Sequence, residues 1–238
     1  DIRWILELTA PCVHALNAMY YRKTELDAPL MVRINDIFVR ALEGGNQLTR
    51  SELGEALERA GIPMGDTIRM SYIMMQAELE GLLCSGARRG SQSTYALLHE
   101  RAPDAKRLSR DQALAELTQR YFRTRGLATV HDFTVWSGLT VADARAGLAL
   151  LGEQLVSEVI EGKTYWYDPT MPPAPADAPE MRQAFLLPPF DEFAMPYKDY
   201  SPLVDSAYLP LATRPLYNGV MVIDCQVVGN WKRTLRKN

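Results

Sequence analysis

Leu48-Thr49-Arg50-Ser51-Glu52-Leu53 and Ala128-Thr129-Val130-His131-Asp132-Phe133 lie about 80 positions apart, and their shared layout decides the fold. In each, a Thr suited to cap a helix precedes an acid by three residues, the reciprocal pattern that satisfies the orphan N–H groups of a helix start. Both then lead through a turn into a second apolar-periodic run and end alike. Glu80-Gly81-Leu82 reaches Thr94-Tyr95 across a turn-rich stretch, and Glu153-Gln154-Leu155 reaches Thr164-Tyr165 by way of Glu161-Gly162-Lys163. Helix, turn, helix and two-stranded ribbon, used twice, predict tandem winged-helix units: a mainly α chain with small β wings, in the α+β class. Such a unit lays a helix in a major groove and sets a basic hairpin beside the phosphates, so double-stranded DNA is the expected partner.

Working outward, residues 1 to 22 have helical apolar spacing that Pro11 is expected to kink or divide, and Asp27-Ala28-Pro29 breaks the run. Met31 to Leu42 reads as a helix stopped by Gly44-Gly45-Asn46 in left-handed backbone, and Leu48 to Ala60 as the next. From Asp66 to Leu82, the spacing of Ile68, Tyr72, Met75, Leu79 and Leu82 predicts the recognition helix and its inward face. Met70, Met74 and Met75 read as core filling and not as a cofactor site. Leu83 to Leu97 is the first wing, whose Gly and Arg tip joins fixed positive charge to unshielded backbone N–H groups. The second unit opens with Ser109 as helix cap and ends its middle helix at Gly138; Thr140 then caps a helix to about Leu151 with Ala144, Leu148 and Leu151 inward. The outward Asp143 and Glu153, with Arg145 alone basic, make a poor major-groove surface, so this copy reads as a structural or protein-contact module.

Five prolines between Asp168 and Glu180 predict a semi-rigid linker. Beyond it, Ala184 to Leu187 reads as a buried strand, and Val220 to Trp231 as a hairpin turning at Asp224-Cys225. A type I′ turn there forces Cys225 to positive φ at a cost of about 1 kcal/mol relative to Gly. The expected division is 1-106 for the first unit with its preceding helices, 107-168 for the second, 169-182 for the linker and 183-238 for a C-terminal β-rich segment.

At 238 residues and 47% apolar content the chain can fill ordinary cores, and no apolar run approaches the roughly 18 residues of a membrane span. Its start, Asp1-Ile2-Arg3-Trp4, has neither a signal-peptide pattern nor an initiator Met, which leads us to expect a fragment or a processed form. Cys12, Cys84 and Cys225 are odd in number and far apart, fitting reduced thiols in the cytoplasm, and His14, His99 and His131 are equally scattered. No metal, cofactor or membrane partner is expected. Net charge is −3, so contact with a polyanion must come from local patches. Leu82 to Arg110 holds six bases against two acids, and Gln226 to Asn238 adds Lys232, Arg233, Arg236 and Lys237 with no acid.

Several blocks in one order carry a resemblance that spans the chain: Glu78 to Gly86, Thr94 to Leu98, Arg120-Tyr121-Phe122, Asp132-Phe133 with Trp136 to Leu139, Leu187-Pro188 with Phe190-Asp191-Glu192, Tyr197-Lys198-Asp199, and Val227-Val228-Gly229 with Trp231-Lys232-Arg233. In these the chain resembles bacterial tandem winged-helix proteins related to the AlkZ and YcaQ DNA glycosylases. The resemblance implies metal-independent excision of alkylated or crosslinked bases from duplex DNA, with water attacking the sugar C1′. It also implies a catalytic Gln-x-Gln or Gln-x-Asp motif, and no glutamine of this chain is followed two places later by Gln or Asp. An N-terminally truncated glycosylase-like protein is therefore expected, with a non-catalytic DNA-binding or regulatory protein, or a protein-interaction module, as the alternative. Asp191 and Glu192, an acid pair after Pro188-Pro189-Phe190, are the candidates for steadying an oxocarbenium ion; an ion pair to Lys198 or Arg233 is the simpler role for either. For DNA contact the candidates are Arg88, Arg89 and Gln92 on the first wing, with Lys198, Trp231, Lys232 and Arg233 toward the C-terminus. Trp231 could stack on an unpaired base or pack in its own hairpin.

Overall fold

Both expected capping boxes close. Thr49 N donates to the Glu52 carboxylate at 2.7 Å and Thr129 N to that of Asp132 at 2.8 Å, while each Thr hydroxyl accepts the N–H of its acid in return. A third box joins Thr140 and Asp143. The structure is a computed structural model that describes residues 1–171, 183–193, 195, 197–204, 207–208 and 219–234. It comprises two units, Asp1–Ala113 and Leu114–Asn238.

The first unit runs α1 (Ile2–Lys23), α2 (Ala28–Leu42), β1 (Leu48–Thr49), α3 (Arg50–Arg59), α4 (Thr67–Leu79), β2 (Leu83–Ser85), β3 (Thr94–Leu97) and a single turn α5 (Leu98–Arg101). Helix α1 passes through Pro11 undivided. Asp27 does more than break it: its carboxylate accepts Leu30 N at 2.8 Å and Pro29 sits in the first turn, so α2 starts at Ala28, earlier than expected. Gly44 and Gly45, both at φ +81°, end it, and their N–H groups donate to the Glu100 carboxylate at 2.9 and 2.7 Å. Ile34, Phe38 and Leu42 of α2, Leu53 and Leu57 of α3, and Ile73 of α4 form the core with Leu83 and Leu97 of the strands. The strands order β1-β3-β2, all antiparallel, with Leu48 opposite Tyr95 and Leu83 opposite Leu97.

Helix α4 corrects the expected face. Its buried residues are Met70, Ile73, Met74 and Ala77, while Ile68 is 54% and Met75 37% exposed. The reason is a second partner: α1 covers the other flank, stacking Tyr20 on Tyr72 at 4.9 Å and donating Asn17 Nδ2 to the Met75 sulfur. A helix held from two sides is apolar on two sides, and spacing alone then cannot choose between them.

The second unit runs from α6 (Arg110–Arg125), which begins in the first, through α7 (Val130–Ser137), α8 (Val141–Leu151), β4 (Val156–Ile160), β5 (Lys163–Tyr167), β6 (Ala184–Leu187), β7 (Gly219–Ile223) and β8 (Gln226–Trp231). Ser109 caps α6 as expected, exchanging bonds with Gln112, and Gly138 at φ 72° ends α7. Tyr121, Phe122 and Phe133 interlock between α6 and α7 at ring separations of 5.0 to 5.8 Å. Helix α8 meets α6 where Gly147 leaves no room for a side chain: a Cβ there would lie 2.1 Å from Thr118 Oγ1. Strands β4 and β5 pair across a type I′ turn with Glu161 at φ 50° and Gly162 at φ 77°, and an isolated bridge adds Ala128 beside Trp166. That bridge repeats the pairing of Leu48 with Tyr95 in the first unit.

Strands β6-β7-β8 form an antiparallel sheet whose core is Val204, Val220, Val222 and Val227, flanked by Leu187, Phe193 and Tyr200. Ala184 to Leu187 is a strand but not a buried one, since Phe185 is 51% and Leu186 63% exposed. It lies at the sheet edge, where its apolar run meets one neighbouring strand only. The β7–β8 turn has Asp224 at φ 50° and Cys225 at φ 64°, the strained type I′ geometry expected of a turn without Gly. Residues 172–182, most of the expected linker, and the basic Arg236 and Lys237 lie outside the described residues.

Candidate nucleic-acid interface

The first wing is held from beneath by residues that precede it. Gln47 Oε1 accepts Ala87 N at 2.6 Å, and backbone bonds between Arg89 and Gln92 close the tip over Gly90-Ser91. Arg89 folds back, donating to Glu52 Oε1 at 2.7 Å and to the Gln47 carbonyl at 2.6 Å. The Thr49 N–H first, and then Arg89, hold the Glu52 carboxyl below the usual carboxylate range. Arg89 thus pins the tip to the start of α3. Arg88 differs: it is exposed and makes no hydrogen bond or ion pair with another described residue, and the side chain of Gln92 beside it is exposed too. Helix α4 offers no comparable cation. Its Arg69 donates to the Thr24 carbonyl, and Arg50 of α3 is taken up by Thr67 O at 2.9 Å and Ser71 Oγ at 2.8 Å.

In the second unit a strap, whose described residues are 190–193, 195 and 197–204, is bound to α6 and α7 through contacts that the sequence did not announce. Asp132 is buried; its Oδ2 serves the capping box and its Oδ1 accepts the Lys198 N–H at 2.7 Å. Tyr197 donates its hydroxyl to the Arg125 carbonyl at 2.6 Å. Burial, and after it the Asp132 carboxylate, push the Tyr121 phenol far above its ordinary pKa, so it stays neutral. Glu192 pairs with the Arg125 guanidinium and accepts Trp136 Nε1 at 3.2 Å, while Asp191 accepts Phe193 N at 2.9 Å. The acid pair is therefore engaged within the unit, with Arg125 as partner where Lys198 or Arg233 was expected. Trp231 donates its indole N–H to the Leu187 carbonyl at 2.8 Å and covers Gly219, where a Cβ would come within 2.6 Å of the ring. Lys232 and Arg233 follow it, exposed.

The strap, the β4–β5 hairpin and the start of α7 enclose a half-open cleft of about 1100 Å³. Arg145, Lys163 and Lys198 line it with Arg125 and His131, as do the acids Asp132, Glu161 and Asp199. Lys163 and Asp199, both in its lining, form an ion pair of 3.0 Å. The Ser201 hydroxyl and Lys163 lower the Asp199 carboxyl to about 2. Neither Arg145 nor the Lys198 ammonium has an acidic partner among the described residues. Of these cations the sequence reading had singled out Lys198 alone as a site residue, and Arg145 was visible as the one base among the outward residues of its helix.

Among the described residues, no group of three or more His, Cys, Asp or Glu is placed to hold a metal ion, and no helix is long and apolar enough to cross a membrane. Curated protein sequences contain no match to the chain. Among solved structures, the Streptomyces sahachiroi DNA glycosylase AlkZ is similar, with 20% sequence identity and a TM-score of 0.74 over 95% of this chain and 64% of that one. This likeness shows a shared fold, and the chain spans 64% of the length of that relative. The model of the family described as DNA glycosylase AlkZ-like matches residues 1–238, and with the whole chain covered, this protein belongs to the AlkZ-like DNA glycosylase family.

Proposed function

We propose that this chain is the duplex-engaging part of a DNA glycosylase acting on alkylated or crosslinked bases in the bacterial cytoplasm. On this reading it carries two winged-helix units, the first within 1-106, whose wing grips the duplex, and the second within 107-168, with 183-238 as a third region beyond a linker at 169-182. The observation that carries it is the first wing: a hairpin in a β1-β3-β2 sheet, after a capped pair of helices, with Arg88 exposed and unengaged at its tip. The repeated pairing of Ala128 with Trp166 supports reading the second unit the same way. Lys232 and Arg233 extend the phosphate-contacting set. The engagement of Asp191 and Glu192 inside the second unit favours a structural role over bond cleavage for these residues, and an excision-competent form carries in addition the glutamine motif that the 238 residues lack.

Duplex affinity is expected to fall steeply with salt, and Arg88→Ala to flatten the dependence by about one phosphate contact, a change of roughly 0.9 in the slope of log K against log salt. A salt-independent interaction, or an unchanged slope in the variant, removes Arg88 from the interface. The 238-residue chain is also expected to leave methylated-base DNA intact in an excision assay; release of free base would place the chemistry within it.

A further inference from the structure

Duplex contact at the first wing leaves the cleft of the second unit unused. Its 1100 Å³ exceeds the roughly 300–1,000 Å³ typical of small-molecule pockets, and it is half open. Two kinds of residue meet there. Arg145 and Lys198 supply positive charge that no acid among the described residues pairs with, because Asp132 is committed to Thr129 and the Lys198 amide, and Asp199 to Lys163 and Ser201. Glu161, on the hairpin turn, is the remaining acid of the lining. Tyr165, Trp166 and Tyr197 supply aromatic surface, and the bond from Tyr197 to the Arg125 carbonyl holds that ring in place.

Cations beside aromatic rings inside a cleft suit a nucleic acid whose bases are out of the stack, since only then are base faces free to lie on a ring. A duplex presents phosphates and base edges, for which the aromatic lining would be idle. We propose that this cleft binds a short single-stranded nucleic-acid segment, its phosphates on Arg145 and Lys198 and its bases against Tyr165 and Tyr197. The inference rests on the reading of the chain as a DNA-binding protein and adds to it a second, strand-specific site.

The test uses the full 238-residue chain, a fluorescein-labelled oligothymidylate and a blunt duplex of equal length, read by anisotropy. Oligothymidylate is expected to bind. Joint Arg145→Ala and Lys198→Ala substitution should weaken it at least about tenfold and lower its salt slope. Tyr165→Leu should weaken it by roughly five- to tenfold with the slope unchanged, as loss of a stacking partner does. Lys198→Ala keeps the backbone N–H that docks the strap, so the cleft itself persists in the charge variant. Failure of the wild type to bind oligothymidylate, or equal binding by all variants, overturns the proposal. So does a charge variant that loses duplex and oligothymidylate binding in parallel, which would make the cleft a duplex site. Loss of duplex binding in Arg88→Ala with oligothymidylate retained supports both sites, whereas oligothymidylate binding without any duplex binding sinks the wing reading alone.

Discussion

Removing the Arg89 guanidinium takes two donors from the first wing, one on Glu52 and one on the Gln47 carbonyl, whereas removing that of Arg88 takes none from any described residue. The two neighbours should therefore separate experimentally. Arg89→Ala is expected to speed amide exchange at Gly90 and Ser91 with little change in global unfolding, because the pin is local and solvent-exposed. Equal protection at the tip in wild type and variant would show that Gln47 and Thr94 hold the wing unaided. Adjacent arginines look alike on paper, and what distinguishes this pair is a partner 37 positions away. Gln47 is a harder case: it props the wing through its amide oxygen, and nothing in the type or spacing of a lone glutamine announces that role.

At the scale of elements, the packing of α8 on α6 turns on the absence of one methyl group. Alanine is the better helix former by about 1 kcal/mol, which alone would make Gly147→Ala stabilising. The added Cβ would meet Thr118 Oγ1 at 2.1 Å, with Leu114 Cγ behind it at 3.4 Å, and Thr118 is fully buried. Overpacking of this kind costs about 1–3 kcal/mol, so a net loss of about 1 kcal/mol is expected in urea unfolding. Thr118→Ala in the same chain should recover most of it, because the Thr118 hydroxyl has no hydrogen-bond partner among the described residues to lose. Helix starts were legible in the sequence because a capping box needs particular residue types at a fixed interval, and all of Thr49, Ser109, Thr129 and Thr140 cap as expected. The face of α4 and the exposure of β6 were not, since an apolar run records that something covers it without recording how many neighbours do. The strap was the least legible of all: Lys198 docks on Asp132 through a backbone N–H, a donor that every residue but proline has.

For the molecule as a whole, a net charge of −3 leaves the proposed binding to DNA in the hands of a few placed cations, and acid conditions test how those of the second unit are held. Asp199 is ionised in the folded chain down to about 2, below the roughly 3.9 of an unfolded aspartate. A lowered folded pKa gives a contribution that is complete above the unfolded value and vanishes as pH falls through the folded one. The bond from Lys163 to Asp199 is therefore expected to persist to about pH 4 and to be lost toward pH 2. A carboxyl-carbon NMR titration of Asp199 would follow it, and a midpoint near that of a free aspartate would show the contact absent in solution. Membership of the AlkZ-like family was legible from motif blocks spread along the chain, whereas the cleft arises only once strap and hairpin meet. Glu52 and Asp132 stand at the same place in the two repeats, and each gives one oxygen to its own helix. The other oxygen reaches Arg89 in the first and the Lys198 amide in the second. A carboxylate committed to helix initiation by one oxygen thus keeps the other for long-range bracing, of an exposed tip in one unit and of an internal strut in the other.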